Sequence, residues 1–236
     1  MSLEERPKLM GSSLTVDPIW EQKYRQGYAT RYPWNFVVTF LFTHCPLDKE
    51  CREIKVLEVG SGSGSNLWCA AREGFAVAGV DASPSAVQYA RDRFERDGLV
   101  ADLQVGDFTE LTFSDAYFDL AIDRAAITCV GFADAQRAVG EVWRVLAPEG
   151  KFLFNVYSDR HSSCATGEAG PGGVTLNISG GTLTNEGQIR FYNRRDIDVL
   201  FETGWRLLAV EHLELSDRLS SSDTAHAEWR VIAQKA

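Results

Sequence analysis

The 236-residue sequence predicts an α/β fold: a seven-stranded, mostly parallel sheet with helices on both faces and an antiparallel last strand. Two observations point there. Residues 54–156 alternate short apolar runs with helical stripes, the patterning of βαβ units and hence of a parallel sheet covered by helices. Further on, two strand-like segments, Trp205 to Leu213 and about Ala227 to Ala233, are joined by the serine-rich Leu215 to Asp223, which shows no helical pattern. Without a crossover helix the two strands must be antiparallel. With 44% hydrophobic and 24% charged residues the composition is that of an ordinary folded protein, and the length suits one α/β domain over 1–236.

The elements follow in order. Ile54 to Val59 is the first strand, and Asn66 to Glu73 lies in the helix after a glycine-rich turn. Ala76 to Val80 is the second strand. Ser83 then caps a helix with Pro84 at its first position, and Val87, Ala90 and Phe94 mark its buried face as far as Gly98. Leu103 to Val105 is the third strand, and after the turn-like Ser114-Asp115-Ala116 comes the fourth, Phe118 to Ile122. Ala135, Ala138, Val139, Val142 and Leu146 trace one helical stripe, which Pro148-Glu149-Gly150 ends before a fifth strand at Lys151 to Val156. Asn193 caps a helix through Phe201, with Gly204 just past its end. Residues 1–50 and 158–192 stand outside the alternation. Both adjoin the carboxyl edge of the sheet, where open α/β folds bind ligands, so both are candidate lids around a 54–156 core that 193–236 completes.

A formal net charge of −9 and the lack of any Lys/Arg run argue against a nucleic-acid partner. Nowhere do 18 apolar residues run together, and the first 20 residues carry both charge signs without an apolar block. A cytoplasmic protein without a membrane partner is expected. Cys45, Cys51, Cys69, Cys129 and Cys164 are an odd, widely spaced set with no CxxC pair, so reduced thiols and no metal site are expected. Oligomeric state leaves no signature.

After the first strand, Glu58-Val59-Gly60-Ser61-Gly62-Ser63-Gly64 lets the backbone turn tightly and approach a ligand. Alone, such a turn fits a dinucleotide site, a phosphate cradle or a plain connection. Ser65 stands where a nicotinamide fingerprint needs its third glycine, and no Lys-Ser/Thr pair follows as in a P-loop. The charge of Glu58 would repel a pyrophosphate but suits a ligand carrying an ammonium and a sulfonium; its other role is to accept from N–H groups of the turn. Asp81 ends the second strand, where a carboxylate accepts from both hydroxyls of an unphosphorylated ribose. Gly106-Asp107-Phe108 closes the third with a carboxylate and a ring suited to an adenine amino group and face.

Taken in order, E-x-G-x-G-x-G, Asp81, Gly106-Asp107-Phe108 and Arg144-Val145-Leu146-Ala147-Pro148-Glu149-Gly150-Lys151 make residues 54–156 resemble the class I S-adenosylmethionine (SAM)-dependent methyltransferases. The resemblance implies a Rossmann-like sheet, SAM as cofactor, and a site along Gly60, Ser61, Gly62 and Gly64. It also implies that Asp81, beside Ala82, holds the ribose and that Asp107 and Phe108 contact adenine. Trp20-Glu21-Gln22-Lys23-Tyr24 and the stretch from Phe118 to Ile127 are similar to segments of thiopurine and tellurite methyltransferases. In that group the front aromatics, here Trp20 and Tyr24, close over SAM, and the pair at Asp123 and Arg124 faces the methyl-transfer site. Trp20, Tyr24, Tyr28 and Tyr32 recur every four residues and share a face if helical, although Gly27 and Pro33 limit that helix. Such a stripe either packs the helix or presents rings to a cation. Asp123 has two roles open to it, binding the methionine ammonium or pairing with Arg124; Arg124 either binds an anionic substrate group or forms that ion pair.

The implied reaction is in-line attack by an oxygen, nitrogen or sulfur of a small-molecule acceptor on the sulfonium methyl, with Asp123 and Arg124 as catalytic candidates. SAM is already a strong electrophile, so alignment and exclusion of water are the protein's main tasks. A hydroxyl acceptor would need a base, for which the candidates are Asp123, His161, Tyr192 and His212, with His161 reading as a solvated loop residue. Cys129 reads as packing. A nicotinamide-dependent oxidoreductase would share the turn and the ribose carboxylate, against Ser65 and Glu58. A non-catalytic SAM-binding regulatory protein would share every binding motif.

Overall fold

Short continuous apolar runs become strands that bury both faces, and this sets the layers of the molecule. The computed structural model describes residues 17–217, 219 and 224–236; the first sixteen residues of the expected front lid, and most of the serine-rich connection, lie outside the described residues. Helices α1 (Ile19–Arg25) and α2 (Asn35–His44) precede β1 (Lys55–Val59), α3 (Ser65–Arg72), β2 (Ala76–Asp81), α4 (Pro84–Arg96), β3 (Asp102–Val105) and β4 (Phe118–Arg124). There follow α5 (Phe132–Val145), β5 (Leu146–Tyr157), a hairpin of β6 (Glu168–Ala169) and β7 (Thr175–Leu176), α6 (Arg194–Leu200), β8 (Trp205–Ser216) and β9 (Ala225–Lys235).

The large sheet has the order β3-β2-β1-β4-β5-β9-β8. The first five strands are parallel, and β9 lies antiparallel between β5 and β8, as a connection without a crossover helix requires. Strand order reverses between β1 and β4, where Val59 sits opposite Asp123. That reversal opens a crevice at the carboxyl ends. On one face Phe152, Phe154 and Val156 pack with Val139 and Val142 of α5 and Ile197 of α6; on the other, Leu153, Leu120 and Ile122 pack with Phe40 of α2, Leu67 of α3 and Val87 and Phe94 of α4.

Three local expectations change. Helix α5 stops at Val145, and Leu146, expected on its stripe, is extended and pairs with Phe118. Pro148-Glu149-Gly150 therefore does not separate helix from strand. It forms an irregularity inside β5, because Phe118 faces Leu146 whereas Leu120 faces Lys151, and Glu149 takes a φ of 62° to turn the extra residues outward. The aromatic stripe is also shorter than its spacing suggests: α1 ends at Arg25, Gly27 turns the chain at φ 92°, and Tyr32 is 70% exposed. The 158–192 segment, for its part, is packed, with Ile178, Leu183, Ile189 and Phe191 making a small core with Cys129, Trp20 and Tyr157.

Among the described residues no helix is long and apolar enough to cross a membrane, no group of three or more His, Cys, Asp or Glu is placed to hold a metal ion, and the cysteines are free.

Arg144, in the motif before β5, ties the β3–β4 connection to α5. Its guanidinium donates to the carbonyls of Leu111 and Phe113 (both 2.8 Å), to Asp115 (2.6 Å) and, as a fork, to Glu141 (2.8 and 2.7 Å). Arg144→Met removes the donor to two carbonyls and two carboxylates, so a loss of about 2 kcal/mol is expected in denaturant unfolding, of which Arg144→Lys restores less than half for want of the planar fork.

Candidate functional site

The crevice between β1 and β4 holds a cavity of about 750 Å³. Its floor is the glycine turn. Gly60 and Gly62 sit at φ 64° and 52°, and a Cβ on Gly60 would lie 2.0 Å from Cβ of Ala126, while one on Gly62 would lie 2.3 Å from the Tyr24 hydroxyl oxygen. Gly64 works differently. It opens α3 and lets Ala90 of α4 come within 3.0 Å of where a Cβ would be, so it serves helix packing and does not line the cavity.

Asp81, at the end of β2, accepts from Gly62 N–H through Oδ2 and from Ser83 N–H through Oδ1, both at 2.8 Å. Each oxygen keeps a lone pair, and Asp81 and Ala82 line the cavity. Burial raises its carboxyl, against those two hydrogen bonds. Glu58 is buried at the end of β1, its Oε1 accepting from Asn66 Nδ2 (2.7 Å) and its Oε2 without a partner. Burial chiefly, then the nearby charges of Asp123 and Asp81, push it up to about 8 against the Asn66 bond.

The front segment clasps this turn through residues that motif reading passed over. Ser63 Oγ accepts from Thr30 N–H (3.0 Å) and donates to Thr30 carbonyl (2.9 Å), and Asn66 Oδ1 accepts from Trp34 N–H (3.0 Å). Glu21 of α1 accepts from the Ser83 and Ser85 hydroxyls (2.6 and 2.7 Å) and from Ser85 N–H (3.1 Å), tying α1 to the start of α4. Against a burial penalty, these bonds hold its carboxyl below the usual range. Trp20 and Tyr24, tilted against each other, each meet Tyr28 edge-on at the cavity, and Tyr24, which lines it, has its hydroxyl raised by burial. Across the opening, Lys23 meets Glu186 at 2.6 Å and Asp17 accepts from Gln188 N–H at 3.1 Å, so α1 and the 182–189 stretch close over the cavity together.

Several expected residues lie elsewhere. Asp107 accepts from the N–H and hydroxyl of Thr109 through Oδ1 (2.8 and 2.7 Å) and does not line the cavity, whereas Phe108 and Val105 do. Asp123 is fully buried beneath the turn after β4: its Oδ1 accepts from Ala126 and Ile127 N–H (2.9 and 3.1 Å), burial pushes it up to about 7, and it forms no ion pair with Arg124. Its neighbour differs. Arg124 lines the cavity with its guanidinium 3.8 Å from the Trp34 ring and its Nε without a partner. Tyr192 is buried away from the cavity and donates to Ile127 carbonyl (3.2 Å), and His212 bonds Ser158 Oγ (2.7 Å) outside it. His161 is 2% exposed and so is not the solvated residue its loop suggests. His226, which no sequence pattern marked, lines the cavity, as does Cys129.

The sheet order, with its reversal between β1 and β4, defines a Rossmann-like α/β fold. Residues 57–154 match the methyltransferase-domain family model, and this core is similar to the class I SAM-dependent methyltransferases. A demethylmenaquinone methyltransferase of Thermus thermophilus is 33% identical over 107 residues, which cover 45% of this chain and 48% of that protein. The human EEF1A lysine methyltransferase 2 is 28% identical over 165 residues, covering 62% and 68%. This chain thus spans about half the length of the bacterial relative. Among solved structures, TehB from Haemophilus influenzae superposes with a TM-score of 0.64 at 12% identity, over 92% of this chain and 67% of that one, a likeness of fold.

Two outcomes test this geometry. Gly62→Ala places a methyl against the Tyr24 oxygen and should loosen α1, seen as faster backbone amide exchange over residues 19–25; adding Tyr24→Phe, which removes that oxygen, should restore at least half of the protection. Glu58 holds a proton in the fold up to about pH 8 that the unfolded chain sheds near its ordinary 4.5, so folding stability falls as pH rises between these values. Glu58→Gln, which keeps the acceptor for Asn66, should make the ligand-free protein more resistant to denaturant at pH 8 than the parent, with little difference at pH 4.5.

Proposed function

We propose that the chain is a SAM-dependent methyltransferase that moves a methyl group to an oxygen, nitrogen or sulfur of a small molecule by in-line displacement. One observation carries this: the charged lining of the cavity is acidic, with Asp17, Glu21, Glu58, Asp81 and Glu186 against Arg124 alone, and a buried Glu58 oxygen lacks any partner. Such a site disfavours a pyrophosphate and suits a ligand that carries an ammonium and a sulfonium. The backbone of Gly60, Ser61 and Gly62 leaves space that a Cβ would fill, Asp81 has lone pairs for two ribose hydroxyls, and Phe108 with Val105 offers a flat apolar wall for adenine. SAM supplies the activated methyl. The chain's own residues orient it and exclude water: Trp20 and Tyr24 cover it, Glu58 and Asp81 fix its charged and ribose ends, and Arg124 faces the acceptor side. Asp123 acts by capping the turn that presents Arg124 to the cavity.

The two relatives carry names that point to different acceptors, a quinone precursor and a protein lysine. The closing of α1 with residues 182–189 over the cavity supports a small molecule here. Residues 17–50 and 158–192 act as its covers and 54–156 as its SAM-binding core.

Calorimetry should show SAM binding with release of a proton near pH 7, detected as a heat that changes with buffer ionisation enthalpy, because a cationic ligand favours ionised Glu58. Asp81→Ala should weaken binding by about 10- to 100-fold, as expected for lost charge-assisted hydrogen bonds. Absence of binding, or protection by NADH in place of SAM, would overturn the proposal. Release of S-adenosylhomocysteine in an acceptor screen distinguishes catalysis from a purely regulatory SAM-binding role.

A further inference from the structure

Beyond the glycine turn, Tyr157, Thr182, Leu183, Ile189 and His226 line the far wall of the cavity. There the side chains form an ordered series. His161 Nδ1 accepts from Ser163 N–H (3.0 Å), which places the proton of the neutral ring on Nε2. That Nε2 lies 3.1 Å from Thr182 Oγ1 and 3.3 Å from His226 Nδ1, and Thr182 Oγ1 is itself 3.3 Å from His226 Nδ1. With His161 as donor to the threonine oxygen, the Thr182 hydroxyl gives its hydrogen to His226 Nδ1. His226 then carries its proton on Nε2, toward Glu228 Oε2 at 3.6 Å.

Glu228 is buried, and its Oε1 is gripped by Arg230 at 2.5 and 2.7 Å. Burial acts to raise its carboxyl, but hydrogen bonds from His226 and Arg230, with the charges of Arg124 and Arg230, hold it at about 2, so it is ionised. Burial, then the neighbouring His226, lowers His161 to about 4, which keeps it a neutral donor. The groups facing His226 are thus His161 and Thr182 from the 158–192 segment, Tyr157 of β5 with its ring 5.6 Å away, and Glu228 on its own strand. Thr182 Oγ1 retains one acceptor lone pair on the cavity side.

We propose that Thr182, His226 and Glu228 form a proton relay that deprotonates the hydroxyl of a phenol-class methyl acceptor. This rests on the methyl-transfer function proposed above. The acceptor hydroxyl gives its proton to Thr182 Oγ1 as the threonine's own proton passes to His226 Nδ1. The phenolic oxygen bonds the methyl carbon, the carbon–sulfur bond breaks with its electron pair on sulfur, and the imidazolium is balanced by Glu228 until it releases the proton to water. Trp20, Tyr28, Leu183 and Ile189 supply the apolar and aromatic wall that a phenol ring requires. A phenol needs this assistance because its hydroxyl is weakly nucleophilic until ionised.

SAM binding is measured first by calorimetry, then methylation of phenol, para-nitrophenol, pentafluorophenol and bicyclic phenols by S-adenosylhomocysteine release. His226→Gln and Thr182→Val should bind SAM within about twofold of the parent yet lose on the order of 100-fold in kcat/KM with phenol, and Thr182→Ser should restore most of it. With pentafluorophenol, already ionised at neutral pH, the loss should be smaller by a factor of about 30. Independently of turnover, histidine nitrogen NMR at pH 8 should show both His161 and His226 as the Nε2–H tautomer, with Glu228→Gln shifting His226 and not His161. Failure of SAM to bind overturns the methyl-transfer function and the relay with it. Binding without methylation of any phenol, equal losses across the phenols, or an Nδ1–H tautomer at His226 overturns the relay alone.

Discussion

The hydrogen bond from Gly62 N–H to the Asp81 carboxylate joins the turn after β1 to the end of β2, and the other features of the cavity are arranged around it. It fixes the turn in a conformation with three positive φ values, from which Ser63 and Asn66 reach the front segment and Ser61 and Gly62 face the crevice. The other Asp81 oxygen accepts from Ser83, whose hydroxyl caps α4 by accepting from Ala86 N–H (3.0 Å) and donates to Glu21. One carboxylate thereby sets a loop, a helix start and the seat of α1. A change at position 81 consequently acts on all three, and its effect on ligand affinity contains a contribution from order in the apo fold.

The site is built against stability. Glu58 and Asp123, buried, and Asp81, half-buried, lie at the carboxyl ends of neighbouring strands, and loss of solvent raises all three. The fold tolerates them because backbone N–H groups and Asn66 satisfy most of their oxygens and because Glu58 and Asp123 hold protons well above the usual carboxylate range. Stored electrostatic cost of this kind would be relieved by a cation, which is the property on which the proposed ligand rests.

Much of this was legible in the sequence, and the limits have identifiable causes. The parallel core followed from βαβ periodicity, and the antiparallel β9 from a connection with no helix to make a crossover. The glycine turn and Asp81 at the crevice were legible because they lie at fixed chain offsets, which motif spacing records. The contribution of Glu21, Thr30 and Trp34 was not, because those contacts span about thirty to sixty residues and depend on where α1 and the following loop land. His226 was hidden for the same reason: a lone histidine on a late strand acquires a chemical setting only when β9 inserts beside β5 and brings it to His161 and Thr182. Asp123 went the other way. A strand-end carboxylate looks like a ligand group, but Asp123 lies outside the cavity lining, its Oδ1 bonded to two N–H groups of the turn after β4 and its buried Oδ2 without a partner.

The Lys23–Glu186 pair joins segments 163 residues apart and keeps about a fifth to a quarter of each side chain in solvent. An ion pair so exposed contributes on the order of 0.2–1 kcal/mol and weakens with salt. The cover that α1 and residues 182–189 form over the cavity is accordingly held chiefly by the apolar packing of Trp20 against the cluster of Leu183, Ile189 and Cys129, with ionic strength a minor influence.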